Sequence, residues 1–182
     1  MNLTRFLSAI LIPACVLLAA CGQKPVPAPA PAGKIAVPDE YASYGNGRFS
    51  FSIDYPAKLL TPQGEAGNGD GQTFLSSDGN TKLAVWGMNN AIDPFDTIKT
   101  HFAKAIKDDK KAKRQITLKV QKENWYVLSG FEGEAIFYRK VYLVDDQFLT
   151  MDFTYPKAQR EQWDAVATRL EKSFKPEKPS AH

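Results

Sequence analysis

Residues 134–155 read Glu-Ala-Ile-Phe-Tyr-Arg-Lys-Val-Tyr-Leu-Val-Asp-Asp-Gln-Phe-Leu-Thr-Met-Asp-Phe-Thr-Tyr, and Pro156 follows. Two β-rich runs flank Asp145-Asp146, which suits a two-residue hairpin turn. With Val144 opposite Gln147, one face pairs Tyr142 with Leu149, Tyr138 with Phe153 and Ile136 with Tyr155. The other face pairs Leu143 with Phe148 and Arg139 with Asp152. Such cross-strand pairs stabilise a sheet, and a slip of one residue would send every side chain to the wrong face. Both faces carry large apolar residues, so both are expected to be covered by other layers.

Working outward, Phe49, Phe51, Ile53 and Tyr55 alternate toward one face and Pro56 ends the run, which predicts a strand. The glycine-rich, polar stretch Gly64–Gly71 predicts a flexible loop. Thr73–Ser76 and Lys82–Gly87 read as strands around an Asp78-Gly79-Asn80 turn. Asp93 as N-cap and Pro94 at the first helical position predict a helix carrying Phe95, Ile98, Phe102, Ala105 and Ile106, ending among Asp108–Lys111. Ile116–Gln121 and Trp125–Ser129 read as two strands joined by a short polar turn. After the hairpin, Pro156 opens a second helix. Its stripe of Trp163, Val166, Ala167, Leu170 and Phe174 is stopped by Lys175-Pro176. The sum is one α+β domain over residues 44–175: an antiparallel β-sheet of about seven strands with helices packed on it, then a loose tail over 176–182.

The N-terminus reads as an address. Arg5 precedes an apolar run from Phe6 to Leu18, too short to span a bilayer as a helix of roughly 20 residues. Leu18-Ala19-Ala20-Cys21 then resembles the lipobox of bacterial lipoproteins. That resemblance implies a signal peptide over residues 1–20 and a diacylglyceryl group on Cys21. Gly22, rather than an aspartate, implies sorting to the outer membrane, facing the periplasm, if the cell has two membranes. Cys15 would leave with the signal, so the mature domain would hold no disulfide and no free thiol. Residues 21–43 include Pro25-Val-Pro-Ala-Pro-Ala-Pro31, where alternating prolines favour extended polyproline II. This is a spacer, with a proline-rich ligand motif as its other reading.

Several features together resemble the PsbP-like fold. They are the Phe49–Tyr55 strand closing in Tyr-Pro, the Ser77-Asp78-Gly79 turn into a strand, the Tyr138–Tyr155 hairpin closing in Tyr-Pro, and the terminal helix from Trp163 to Ser173-Phe174. With the lipobox, the chain is similar to periplasmic lipoproteins of the DcrB type. The resemblance implies an αβα sandwich and a role in binding or assembly rather than catalysis. It supplies no active-site residues to carry over.

The search for chemistry yields little. The chain's two histidines are His101, near the edge of the first helix's apolar stripe, and His182. No Gly-x-Ser-x-Gly elbow accompanies them, and no metal or other cofactor is expected. The loop Gly64–Gly71 lacks the Gly-Lys-Ser/Thr of a phosphate-binding loop, and Asn68, Asp70 and Gln72 mimic a calcium loop only faintly. Asp152 is explained by its pairing with Arg139. A net charge of +3 argues against a nucleic-acid partner. One surface feature stands out: Lys104, Lys107, Lys110, Lys111, Lys113 and Arg114, continued by Lys119 and Lys122. Its plain reading is a solvated helix end whose cations complement the helix dipole. Its functional reading is contact with an acidic partner or an anionic envelope surface.

The expected function is therefore a membrane-anchored, non-enzymatic envelope lipoprotein that binds or helps assemble a protein partner. A small-ligand or lipid-binding module, with a pocket between sheet and helix lined by some of Tyr138, Tyr142, Trp86 and Trp125, is the alternative. An unrecognised hydrolase is the second alternative. The anchoring reading has a direct check. Mass spectrometry of the mature N-terminus should find acyl chains on Cys21, and Cys21→Ser should leave the protein unprocessed or soluble; an unmodified N-terminus at any other residue would overturn it.

Overall fold

The computed structural model describes residues 40–90 and 97–177, and all of them lie in one of the chain's two compact units. The hairpin lies at the centre of the main sheet. Strands β8 (Ala135–Val144) and β9 (Gln147–Pro156) pair with Val144 opposite Gln147, Arg139 opposite Asp152 and Tyr138 opposite Phe153, the register expected from the sequence. Asp145 and Asp146 both adopt positive φ, 48° and 58°, as the tight turn requires. The buried Asn90 secures that turn: its backbone N–H donates to Asp146 O and its side-chain amide to Asp146 Oδ1, both at 2.9 Å.

Two meanders flank the hairpin. Strands β3 (Thr61–Glu65), β4 (Gly71–Leu75) and β5 (Lys82–Asn89) form one. Strands β6 (Gln115–Gln121) and β7 (Trp125–Glu132) continue from β8 on the other side. The antiparallel seven-stranded order is β3-β4-β5-β9-β8-β7-β6. A second sheet, β1-β2-β10, is made by β1 (Ala42–Asn46), β2 (Phe51–Tyr55) and β10 (Lys175–Pro176).

Helix α2 (Arg160–Ser173) follows a 3-10 turn and buries the expected stripe of Trp163, Val166, Ala167 and Leu170, with Phe174 buried at its C-cap. Fully burying a side chain such as Val166 or Leu170 stabilises by about 1.5–3 kcal/mol. This helix and the small sheet share one core with Phe74, Leu83, Leu149, Met151 and Phe153 on one face of the main sheet. Gly87 permits that contact, because a Cβ there would lie 2.1 Å from the Phe49 ring. Helix α1 (Ile98–Lys111) covers the other face over Tyr126, Leu128, Phe137, Val141 and Phe148. Helices thus lie on both faces, an αβα arrangement.

Five local expectations are corrected. The helix α1 starts at Ile98 with Thr97 as N-cap in a reciprocal capping box with Thr100, so Asp93 does not cap it; Asp93, Pro94 and Phe95 lie outside the described residues. The Gly64–Gly71 stretch is not all loop, because Gly64-Glu65 belongs to β3 and Gly71 to β4. Strand β1 begins at Ala42, inside the segment 21–43 assigned to the spacer. The tail over 176–182 begins in a sheet: Pro176 pairs with Phe51, and Glu177 N–H donates to Ser50 O at 2.7 Å. Strand β2 belongs to this small sheet, and β3 takes its place in the count of seven.

The C-terminal end of α1 is clamped to the hairpin by charge. Asp109 is only 3% exposed and lies on the helix's buried face with Ile98 and Ala105. Its carboxylate accepts from Arg139 Nη1 at 3.1 Å and from Arg114 Nη1 at 3.4 Å. Arg139 also reaches Asp152 at 2.7 Å, and Arg114 reaches Glu132 at 2.8 Å. Burial alone would lower the Arg139 pKa, but Asp152 and Asp109 more than reverse this, so it lies above the ordinary arginine value. Removing one member of a buried network leaves its partners' charge uncompensated. Asp109→Ala should therefore lower unfolding stability by about 3 kcal/mol or more, read in urea melts, whereas Lys110→Ala on the exposed side of the same turn should change it by less than about 0.5 kcal/mol.

Candidate functional site

Among the described residues, six of the eight cations in the basic stretch form no salt bridge. Lys104, Lys107, Lys110, Lys111 and Lys113 are exposed on α1 and the turn after it, and Lys119 and Lys122 are exposed on and just past β6. Lys104 pairs with Asp108 at 2.7 Å, and this contact, followed by the weaker field of Lys111, holds the Asp108 carboxyl below its ordinary value. Lys107, Lys110, Lys111, Lys113, Lys119 and Lys122 form no salt bridge with a described residue. Arg114 is set apart. Its side chain is 17% exposed, tied to Asp109 and Glu132, and its guanidinium lies over the Phe137 ring. Arg114 is thus part of the structural clamp, and the exposed surface is made of lysines.

These lysines border an open sheet edge. Strand β6 is terminal in the main sheet, and Gln115, Thr117, Leu118, Lys119 and Gln121 are exposed. Leu118, at 44%, is one of two exposed large hydrophobic residues among those described. Gly130 lets β6 lie close to β7, since a Cβ there would fall 1.9 Å from Gln115 O. A register shift between Ile116 and Leu118 re-aims the strand. From there Lys119 lies opposite Leu128, on the α1 side, and Leu118 opposite Ser129, on the α2 side.

The α2 side also holds a cleft of about 320 Å³ between sheet and helix. Its floor includes Ser129, Ile136 and Tyr138, and α2 contributes Asp164, Thr168 and Glu171. Tyr155 Oη donates to Asp164 Oδ1 at 2.7 Å, and Lys140 Nζ donates to Glu171 Oε1 at 2.5 Å. Burial, then Glu171, raises the Tyr138 pKa, and burial, then Asp164, raises that of Tyr155. Both phenols therefore stay protonated and able to donate. Of the four aromatics expected in a sheet–helix pocket, Tyr138 lines this cleft. Trp125 and Tyr142 lie instead against the Lys140 ammonium. Trp86 lines a separate space of about 180 Å³ beside α1, with His101, Tyr126 and Arg139.

His101 stacks on Phe148 with ring centroids 4.0 Å apart, and its Nδ1 lies 3.1 Å from Tyr126 Oη, so it is a half-buried packing residue. Asp152 serves the clamp. In the calcium-like loop, Asn68 turns its amide to Asp70 Oδ2 at 2.8 Å. Among the described residues, no group of three or more His, Cys, Asp or Glu could hold a metal ion, and no helix is long and apolar enough to cross a membrane. Cys21 and His182 lie outside the described residues. The sequence reading missed Asp109, Leu118 and the cleft-lining face of α2. Asp109 was findable, because Ile98, Phe102, Ala105 and Asp109 run i, i+4, i+7, i+11 along one face.

No family model matches the chain, and neither does any curated protein. Solved structures do. The solution structure of cyanobacterial PsbP (CyanoP) from Synechocystis is similar with a TM-score of 0.55 and 12% identity, over 75% of this chain and 92% of that one. A crystal structure from Bacteroides thetaiotaomicron is similar with a TM-score of 0.46 and 13% identity, over 76% of this chain and 49% of that one. At 12% identity the likeness to the cyanobacterial PsbP structure speaks to architecture alone. The domain has a PsbP-like fold.

Proposed function

We propose that this chain is a lipid-anchored envelope protein that acts by holding a protein partner, not by catalysis. Cys21 is its acylated residue, the segment that follows is its spacer, and the periplasmic side of an outer membrane is its station where the cell has two membranes. The lipobox-like Leu18-Ala19-Ala20-Cys21 and the likeness to DcrB-type lipoproteins support the anchoring. The observation that carries the binding reading is the set of exposed lysines that, among the described residues, form no salt bridge and lie beside Leu118 on the terminal strand β6. Exposed cations speed encounter with an acidic partner and fix its orientation. A tether keeps the domain at high local concentration near any partner on the same membrane.

Charge reversal tests this. Changing Lys110, Lys111 and Lys113 together to Glu, while leaving Arg114 in its clamp, should keep the thermal melt unchanged. It should also remove the salt-sensitive cross-links that the protein forms in intact envelopes. An unchanged cross-link pattern with unchanged salt dependence would overturn the reading.

The cleft favours a second reading, a small-ligand module. Its volume is at the lower end of ligand pockets, and polar groups of α2 face a floor that mixes Phe131 and Ile136 with Ser129 and Tyr138. Native mass spectrometry of protein drawn from its own envelope should then show a small molecule that Thr168→Trp, at the exposed rim, excludes. A mass equal to protein plus acyl chains alone would overturn this reading.

A further inference from the structure

We propose that β6 is a docking edge that takes an extended segment of a partner as an eighth strand, and that the segment alternates acidic and apolar residues. This rests on the partner-binding reading above and specifies the chemistry it selects. A terminal strand leaves a row of backbone N–H and C=O groups unpaired, and an added strand satisfies them. Among the described residues nothing covers Thr117, Leu118 and Lys119, which are all exposed.

The alternation follows from the register. An incoming strand would point successive side chains to opposite faces of the sheet. On the α2 side it would meet Leu118 and Val120, which lie opposite Ser129 and Val127. On the α1 side it would meet Lys119 and Gln121, which lie opposite Leu128 and Tyr126. Lys113 stands in the turn entering β6, and Lys122 just past its end. Residues 110–123 hold six cations and one anion, Glu123, in a chain whose net charge is +3. Past the register shift, one face of the edge therefore offers the apolar Leu118 and Val120 and the other offers Lys119 beside the neutral Gln121, with Lys113 and Lys122 near the strand's two ends.

The same charge selects against a second copy of this chain. Edge lysines commonly guard a sheet against self-pairing, because like charges brought close together repel. They do not repel carboxylates, so the guard against self-association becomes the determinant of the partner.

The test uses the full chain in detergent and three fluorescent decapeptides: alternating Glu-Val, the same composition with all five Glu first, and alternating Lys-Val. Anisotropy at low salt should show the alternating acidic peptide binding at least tenfold more tightly than the blocked one, with no binding by the lysine peptide. Hydrogen exchange at residues 115–121 should slow in that complex. Leu118→Lys and Lys119→Glu, both at exposed positions, should each weaken binding about tenfold without changing the circular dichroism. Equal binding of the two acidic peptides would overturn edge pairing while leaving the electrostatic partner reading in place. Absence of protection at 115–121, absence of binding, or dimerisation through β6 in sedimentation would each overturn it as well. The reverse failure is distinct: unchanged envelope cross-links in the α1 lysine variant would leave this peptide result untouched.

Discussion

Everything in the domain hangs on the register of one hairpin, fixed where Asp145 and Asp146 take left-handed backbone conformations. The side-chain period of a strand is two, so this turn decides which residues face which helix. It puts Arg139 and Asp152 on the α1 side and Tyr138, Tyr142, Phe153 and Tyr155 on the α2 side. Each helix is then tied to the hairpin by polar contacts that exist in this register alone. Helix α1 is held through Asp109 to Arg139. Helix α2 is held through Asp164 to Tyr155 and through Glu171 to Lys140.

Helix α1 reaches the terminal strand β6, packing on Ile116, but leaves Thr117, Leu118 and Lys119 exposed. Covering α1's side of the hairpin consumes one cation of the basic stretch, Arg114, and leaves its lysines outside. On the α2 side, Asp164, Thr168 and Glu171 line a cleft with Ser129 of β7 and Tyr138 of β8, and Leu118 lies opposite Ser129 on β6. Exposed lysines and Leu118 thus collect around β6, whose Ile116 packs beneath α1 while Leu118 stays exposed.

What the sequence revealed and what it hid divide along physical lines. The hairpin and α2 were legible because Ile136–Tyr155 alternates with period two and Trp163–Phe174 with period near 3.6. Strands β1, β3 and β10 were not. Ala42–Asn46 has one large apolar residue, Thr61–Glu65 contains Pro62 and Gly64 and is exposed throughout, and Lys175–Pro176 is two residues long. These are edge or minor strands whose conformation comes from a neighbour's hydrogen bonds, not from their own burial. The cap is Thr97, through a reciprocal capping box with Thr100 that the Asp93-Pro94 signal overshadowed in the sequence. The lysines were visible one by one. Their separation from Arg114 was not, since it depends on Glu132 and Asp109, 18 residues after and five before it. The cleft joins Ser129 to Glu171 across the fold, and no local pattern marks such a meeting.

The order β3-β4-β5-β9-β8-β7-β6 is two locally paired meanders joined at a single seam, β5 against β9. Within each meander a strand pairs with its successor in the chain. Across the seam, Asn89 meets Gln147, 58 positions later. Loop-closure entropy must be met there before any pairing energy returns, and non-local pairing of this kind slows folding. The N-terminal meander cannot complete its core until β9 has formed, so until then β5 is a bare hydrophobic edge. The exposure of β5 in a newly made chain ends only when that seam closes, three strands away from β6 in the sheet order.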